Sequence, residues 1–144
     1  PITGEIWAHE HGPKGGDEIN IIKKGANYGW PLVTYGIDYD GTTISKESEK
    51  TGIEKPIYYW VPSIAPSGMA CVTSDKYPEW KGSLVVGSLK FEYLELLKLK
   101  GNEVIERQKI ATGVGRVRNV AQGPDGYIYM GVEGKGIVKI IPNK

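Results

Sequence analysis

At 144 residues, with 40% hydrophobic and 24% charged side chains, the chain has the length and make-up of one folded domain, which excludes disorder as the default reading. A formal net charge of +1 argues against the concentrated basic face of a nucleic-acid binder, and no apolar run reaches the length of a membrane-spanning helix. The one cysteine, Cys71, excludes an internal disulfide. Gly 20, Pro 9, Tyr 9 and Trp 4 against a single Phe describe a chain cut into short pieces and rich in residues that suit pleated surfaces, so an all-β protein with many turns is expected. The chain opens on Pro1, with no Met and no leader peptide, and reads as a processed form or a piece of a longer protein.

In chain order, "EIWAHE" and "EINIIKK" read as strands around a Gly-rich insert. Within "EHGPKGGDE", Gly12 has no side chain and Pro13 no N–H, so their carbonyls are free to turn outward. Outward carbonyls suit calcium, and Asp17 and Glu18 offer carboxylate oxygens, although the spacing is not that of an EF-hand. The same residues make an ordinary polar turn with a surface acidic pair, and both readings stand. "NYGWP" reads as a tight corner with Tyr28 and Trp30 packed beneath it, and "YGIDYDG" offers Asp38 and Asp40 either as oxygen ligands or as an Asp-Gly turn.

"KPIYYWVP" is an aromatic, β-branched strand bracketed by Pro56 and Pro62. Trp60 could stack on a flat ligand and Ser63 hydrogen-bond to it, or the two could be core packing and a serine turn. Strands follow at "SGMACVTSD", "GSLVVGSL", "YLELLKLK" and "EVIERQKIA", the second ending in "GSLK" on Lys90. After "TGVG" come "RVRNVAQ", a turn at "GPDG", "YIYMGVE", a turn at "GKG" and "IVKIIP". Arg116 and Arg118, two apart on a strand, share a face. They repel one another unless they meet an anion, for which a carboxylate is the natural partner, or unless they are simply solvated. Lys90 joins them if its strand ends at the same surface.

The second half carries an internal repeat. "SGMACVTSDKYPEWKGSLVVGSL" and "VRNVAQGPDGYIYMGVE" both read as strand, polar turn and strand, each followed by an alternating charged-apolar strand. Their starts lie roughly 50 residues apart, the period of four-stranded propeller blades. The expected layout is a partial blade over 1–60, a full blade over about 61–112 and a last blade over about 113–144 lacking its outer strand. A ring of six such blades needs roughly 300 residues, so this chain supplies about half. The competing architecture is a free-standing sandwich or barrel of short strands.

The motifs "EHGPKGGDEINIIKKGANYGWP", "YYWVPSIAPSGMA", "GSLK" and "GRVRNVAQGPDGYIY", in this order and at this spacing, resemble the soluble PQQ-dependent aldose sugar dehydrogenases, the glucose/sorbosone dehydrogenase family. The resemblance runs from about Glu5 to Ile141 and is to the C-terminal half of a six-bladed β-propeller. It implies oxidation of aldose sugars at C1 to lactones, with PQQ (pyrroloquinoline quinone, a flat tricarboxylate) and Ca²⁺ as cofactors. It further implies that the carbonyls of Gly12 and Pro13 bind the cofactor's calcium and that His11 lies beside PQQ. Trp60 and Ser63 are implied to line the pocket, and Lys90, Arg116 and Arg118 to contact PQQ as cations. Glu18 and Tyr28 resemble ligands of a second, structural calcium.

The family's general base is a histidine upstream of this chain, so neither His9 nor His11 is assigned that role and the isolated chain is expected to be inactive. The implied partners are an aldose and an electron acceptor of unspecified kind, with no nucleic acid and no membrane span. The missing propeller half, or self-association, would cover the open strand edges. The implied location is the periplasm or outside the cell. Two rivals are a non-enzymatic ligand- or protein-binding propeller of the same superfamily and an unrelated calcium-binding β-domain.

Overall fold

The computed structural model describes residues 2–142; Pro1, Asn143 and Lys144, the outer limits of the first and last expected blades, lie outside the described residues. The fold is all-β, and the described residues divide into two compact units, Gly4–Ala65 and the residues from Pro66 onward with Ile2 and Thr3. No described helix is long and apolar enough to cross a membrane.

The Gly4–Ala65 unit holds a three-stranded antiparallel sheet of β1 (Ile6–Glu10), β2 (Asp17–Ile22) and β3 (Tyr58–Trp60), in that spatial order. Its register sets Glu10 opposite Glu18 and Ala8 opposite Asn20. β3 is shorter than the run "KPIYYWVP" suggests, because Pro56 and Pro62 have no N–H to give a ladder. Residues 23–57 contain no helix or strand and are closed by local hydrogen bonds. Gly29 O accepts from Leu32 and Val33, and the Glu54 N–H reaches Asn27 O at 2.8 Å. The Tyr28 hydroxyl donates to Ile21 O at 2.9 Å and accepts the Lys23 N–H at 2.6 Å, which fixes the corner at "NYGWP"; Trp30, expected to pack beneath that corner, is instead 59% exposed. Asp40 Oδ1 accepts both the N–H and the hydroxyl of Thr42, so Asp40 closes a turn.

The second unit holds two sheets. One is four-stranded: β4 (Pro66–Cys71), β5 (Leu84–Ser88), β6 (Leu94–Lys100) and β7 (Glu103–Ile110). The other is three-stranded: β8 (Val117–Gln122), β9 (Ile128–Val132) and β10 (Gly136–Lys139). In each sheet successive strands are spatial neighbours and antiparallel, the blade pattern rather than the crossed-over order of a Greek-key sandwich. A short 3-10 helix, Pro78–Trp80, occupies what the sequence suggests is a polar turn. It positions Tyr77, whose buried hydroxyl donates to Ile140 O at 2.7 Å and accepts the Ile128 N–H at 2.9 Å.

The core joins Val85, Leu94 and Leu96 of the four-stranded sheet to Val117, Val120, Ile128 and Met130 of the three-stranded one. The innermost strands approach so closely that a Cβ on Gly68 of β4 would lie 2.1 Å from the Val120 nitrogen. Gly68→Ala is therefore expected to destabilise the chain by about 1–3 kcal/mol through overpacking. At Gly131 the nearest heavy atom to a Cβ would be 3.8 Å away, so Gly131→Ala serves as the tolerated control, both read by urea unfolding.

Candidate functional site

The Gly-rich insert is organised by one carboxylate. Asp17, fully buried at the start of β2, accepts the Gly12 N–H on Oδ1 at 2.8 Å. On Oδ2 it accepts the N–H groups of Ile64 at 2.7 Å and Ala65 at 3.1 Å. A buried carboxylate is tolerable when its oxygens are occupied by donors in this way. Two further bonds tie the same segments: Gly16 N–H to Trp60 O at 2.7 Å and Ser63 N–H to Lys14 O at 3.1 Å. Gly12 has to be glycine, since a Cβ there would sit 2.0 Å from Gly15 O.

Of the two readings of Asp17 the structure gives the turn: its carboxylate is committed to backbone N–H groups. For Trp60 and Ser63 the structure shows the core-packing and serine-turn alternatives in place. The Trp60 ring is 1% exposed and meets Tyr58 edge-on, so it presents no free face for stacking. The exposed aromatic of that strand is Tyr59, stacked on Tyr35 with centroids 3.8 Å apart. Ser63 is buried and its hydroxyl accepts the Ala65 N–H at 3.1 Å, the serine-turn alternative.

His11, Gly12, Glu18 and Tyr28 line a common cavity of about 170 Å³, together with Glu10. Among the described residues, the carbonyls of Gly12 and Pro13 accept no backbone N–H, which is compatible with oxygen ligation of a hard cation. The Tyr28 phenol is used in its own corner, so only its backbone carbonyl is left as a ligand. Asn20 Nδ2 bridges Glu10 Oε1 at 2.9 Å and Glu18 Oε2 at 3.3 Å, while Asn20 Oδ1 is buried with no hydrogen-bond partner. Burial, reinforced by Glu10, pushes the Glu18 carboxyl from 4.5 up to about 7 against the lowering effect of the Asn20 bond. No group of three or more His, Cys, Asp or Glu among the described residues is placed to hold a metal, so a cation here would depend on carbonyls as well as Glu18.

Sequence reasoning missed Glu10. The available signal was the hairpin itself: pairing "EIWAHE" with "EINIIKK" across the insert sets Glu10 against Glu18.

Lys90, Arg116 and Arg118 belong to the second unit. The strand register shifts between Val117 and Asn119, so Arg118 sits in a β-bulge with Arg116 just ahead of β8. The Ser67 hydroxyl donates to Val117 O at 2.6 Å and pins the bulge. The anion that two adjacent arginines require comes from the chain itself. Glu133 Oε2 accepts Arg116 Nε at 3.1 Å and Arg118 Nε and Nη2 at 2.9 and 2.6 Å. Those bonds, Arg118's first, hold the Glu133 carboxyl below its ordinary range. Lys90 follows β5, with Nζ 5.2 Å from the Phe91 ring centroid. Gly87 of β5 packs where a Cβ would meet Val117 Cγ1 at 2.5 Å, so the strand that delivers Lys90 abuts the residue between the arginines.

The family model described as "Glucose / Sorbosone dehydrogenase" matches residues 1–139. The aldose sugar dehydrogenase YliI of Escherichia coli (strain K12) is 47% identical over 133 residues, covering 90% of this chain and 36% of the relative. A solved glucose dehydrogenase superposes with a TM-score of 0.94 at 41% identity, over 99% of this chain and 43% of that one. A PQQ-bound aldose sugar dehydrogenase from Streptomyces coelicolor superposes at 0.65 and 28%, over 94% and 39%. The chain thus spans well under half the length of these relatives. With such neighbours the sheets are those of part of a β-propeller.

Two stability effects follow from the carboxylates. Asp17→Ala leaves three N–H groups without their acceptor and is expected to lower the unfolding free energy by roughly 3 kcal/mol or more in urea titrations. Glu18 binds its proton more tightly folded than unfolded, so its contribution is full below pH 4.5 and is lost as the pH rises through about 7. With chelator present, Tm should fall across that window, and Glu18→Gln should flatten the dependence.

Proposed function

Because the chain belongs to the glucose/sorbosone dehydrogenase family, we propose that it forms part of a PQQ-dependent aldose dehydrogenase, which oxidises the sugar at C1 to its lactone. The observation that carries this reading is the Arg116 and Arg118 pair, two guanidiniums that converge on a carboxylate oxygen of Glu133 and so show the chemistry that a carboxylate cofactor would engage. The donor set therefore fits PQQ, with Lys90 as a further cation. When bound, PQQ supplies the two-electron acceptor for the C1 hydride, with the reducing equivalents passed on to an external acceptor.

The role of this chain is to bind and orient. Arg116 and Arg118 would hold a cofactor carboxylate, while the carbonyls of Gly12 and Pro13 would hold calcium and His11 would lie beside the cofactor. Glu18 and the Tyr28 carbonyl, on the same cavity, would hold a second calcium. Trp60 and Ser63 would act from beneath, as buried supports of the loop carrying Gly12 and Pro13. Neither histidine is proposed as the base: His9 lies in β1 opposite Ile19, and His11 belongs to the calcium loop. The sugar's hydroxyl proton would go to a base outside this chain.

The test is an equilibrium titration of the full-length protein with PQQ in the presence of Ca²⁺. Arg118→Ala should weaken binding by about 1.5–3 kcal/mol, the scale of a hydrogen bond to a charged group. An unchanged affinity would reject the placement, and no PQQ binding by the unaltered protein would favour a non-enzymatic propeller.

A further inference from the structure

We infer that Glu133 is the positioning residue of the arginine pair: it keeps two like charges side by side when no ligand is bound and presents their outer Nη groups to a ligand carboxylate. The inference rests on the reading of that pair as a cofactor contact and adds to it a residue that no sequence motif singles out.

The local geometry supports a positioning role over a competing one. Glu133 is fixed through its own backbone, its N–H donating to Arg116 O at 2.9 Å at the end of β9. All three side-chain bonds converge on one oxygen, Oε2, and they use the Nε edges of both guanidiniums. Nη1 of each arginine takes no part, so a second carboxylate could bind without displacing Glu133. The arginine backbones are held as well, through the bulge at Arg118 and the Ser67 bond to Val117 O. The side chains remain reachable, 46% and 54% exposed for Arg116 and Arg118. Two guanidiniums and one carboxylate leave the cluster cationic, as an anionic ligand requires.

Charge alone and positioning predict opposite signs. Removing a negative group beside an anion site should tighten anion binding if charge dominates. If Glu133 positions the pair, Glu133→Gln should weaken it. The experiment titrates the full-length protein with PQQ and Ca²⁺, read by fluorescence quenching, for the unaltered protein, Glu133→Gln, Glu133→Asp, Arg118→Ala and the double variant Arg118→Ala/Glu133→Gln.

The expected results are a Kd about tenfold higher for Glu133→Gln with Tm unchanged, substantial rescue by Glu133→Asp, and most of the Glu133→Gln effect lost in the Arg118→Ala background. Tighter or unchanged binding by Glu133→Gln overturns the inference, as does an effect that persists undiminished without Arg118. Should Arg118→Ala bind PQQ like the unaltered protein, the cofactor placement itself fails. A weakened Arg118→Ala beside an unaffected Glu133→Gln rejects only the role of Glu133.

Discussion

The buried carboxylate of Asp17 is the constraint on which the Gly4–Ala65 unit depends. It is fully shielded from water and collects backbone N–H groups from two segments far apart in sequence, Gly12 on one side and Ile64 and Ala65 on the other. Without it, three amides would be left to find acceptors in a buried setting, at a cost of about 1–3 kcal/mol each. With it, the loop between β1 and β2 is anchored, and the carbonyls of Gly12 and Pro13 are left over. A residue that looks like a metal ligand in the sequence thus acts one step back, by anchoring the loop that carries Gly12 and Pro13.

Anionic groups organise both units, in opposite ways. In the first, Glu18 is buried opposite Glu10 and shares Asn20 with it, so the pair is electrostatically unfavourable without a cation. The rise of the Glu18 carboxyl to about 7 comes first from its burial and then from Glu10, and a nearby cation would oppose it. In the second, the excess is positive: two arginines converge on a single oxygen of Glu133 and the cluster keeps a net positive charge. The first unit thus carries an excess of negative charge around Asn20, and the second an excess of positive charge around Glu133.

Much of the fold is legible in the residues. The strands of the second unit follow from alternating apolar runs between Gly-rich turns, and Gly68 and Gly87 stand where neighbouring strands leave no room for a Cβ. Arg116 and Arg118 stand out because like charges two apart demand an anion. What the sequence did not reveal depends on contacts between distant residues. Glu133 lies fifteen positions beyond Arg118, and only the β8–β9 pairing makes it their counter-ion. Trp60 looks like a stacking platform, yet strand pairing turns its ring into the core and leaves Tyr59 outside. Asp17 and Glu18 are indistinguishable as neighbours in sequence; the alternation of β2 sends one to the backbone of the 61–65 segment and the other to Asn20.

The most direct test is a crystal structure of the full-length protein with PQQ and Ca²⁺. The expected result is a PQQ carboxylate within hydrogen-bond reach of Arg116 and Arg118, with Glu133 still on their Nε edges and calcium on the carbonyls of Gly12 and Pro13. Cofactor bound elsewhere, with the Arg116–Glu133–Arg118 cluster facing only solvent, would contradict it.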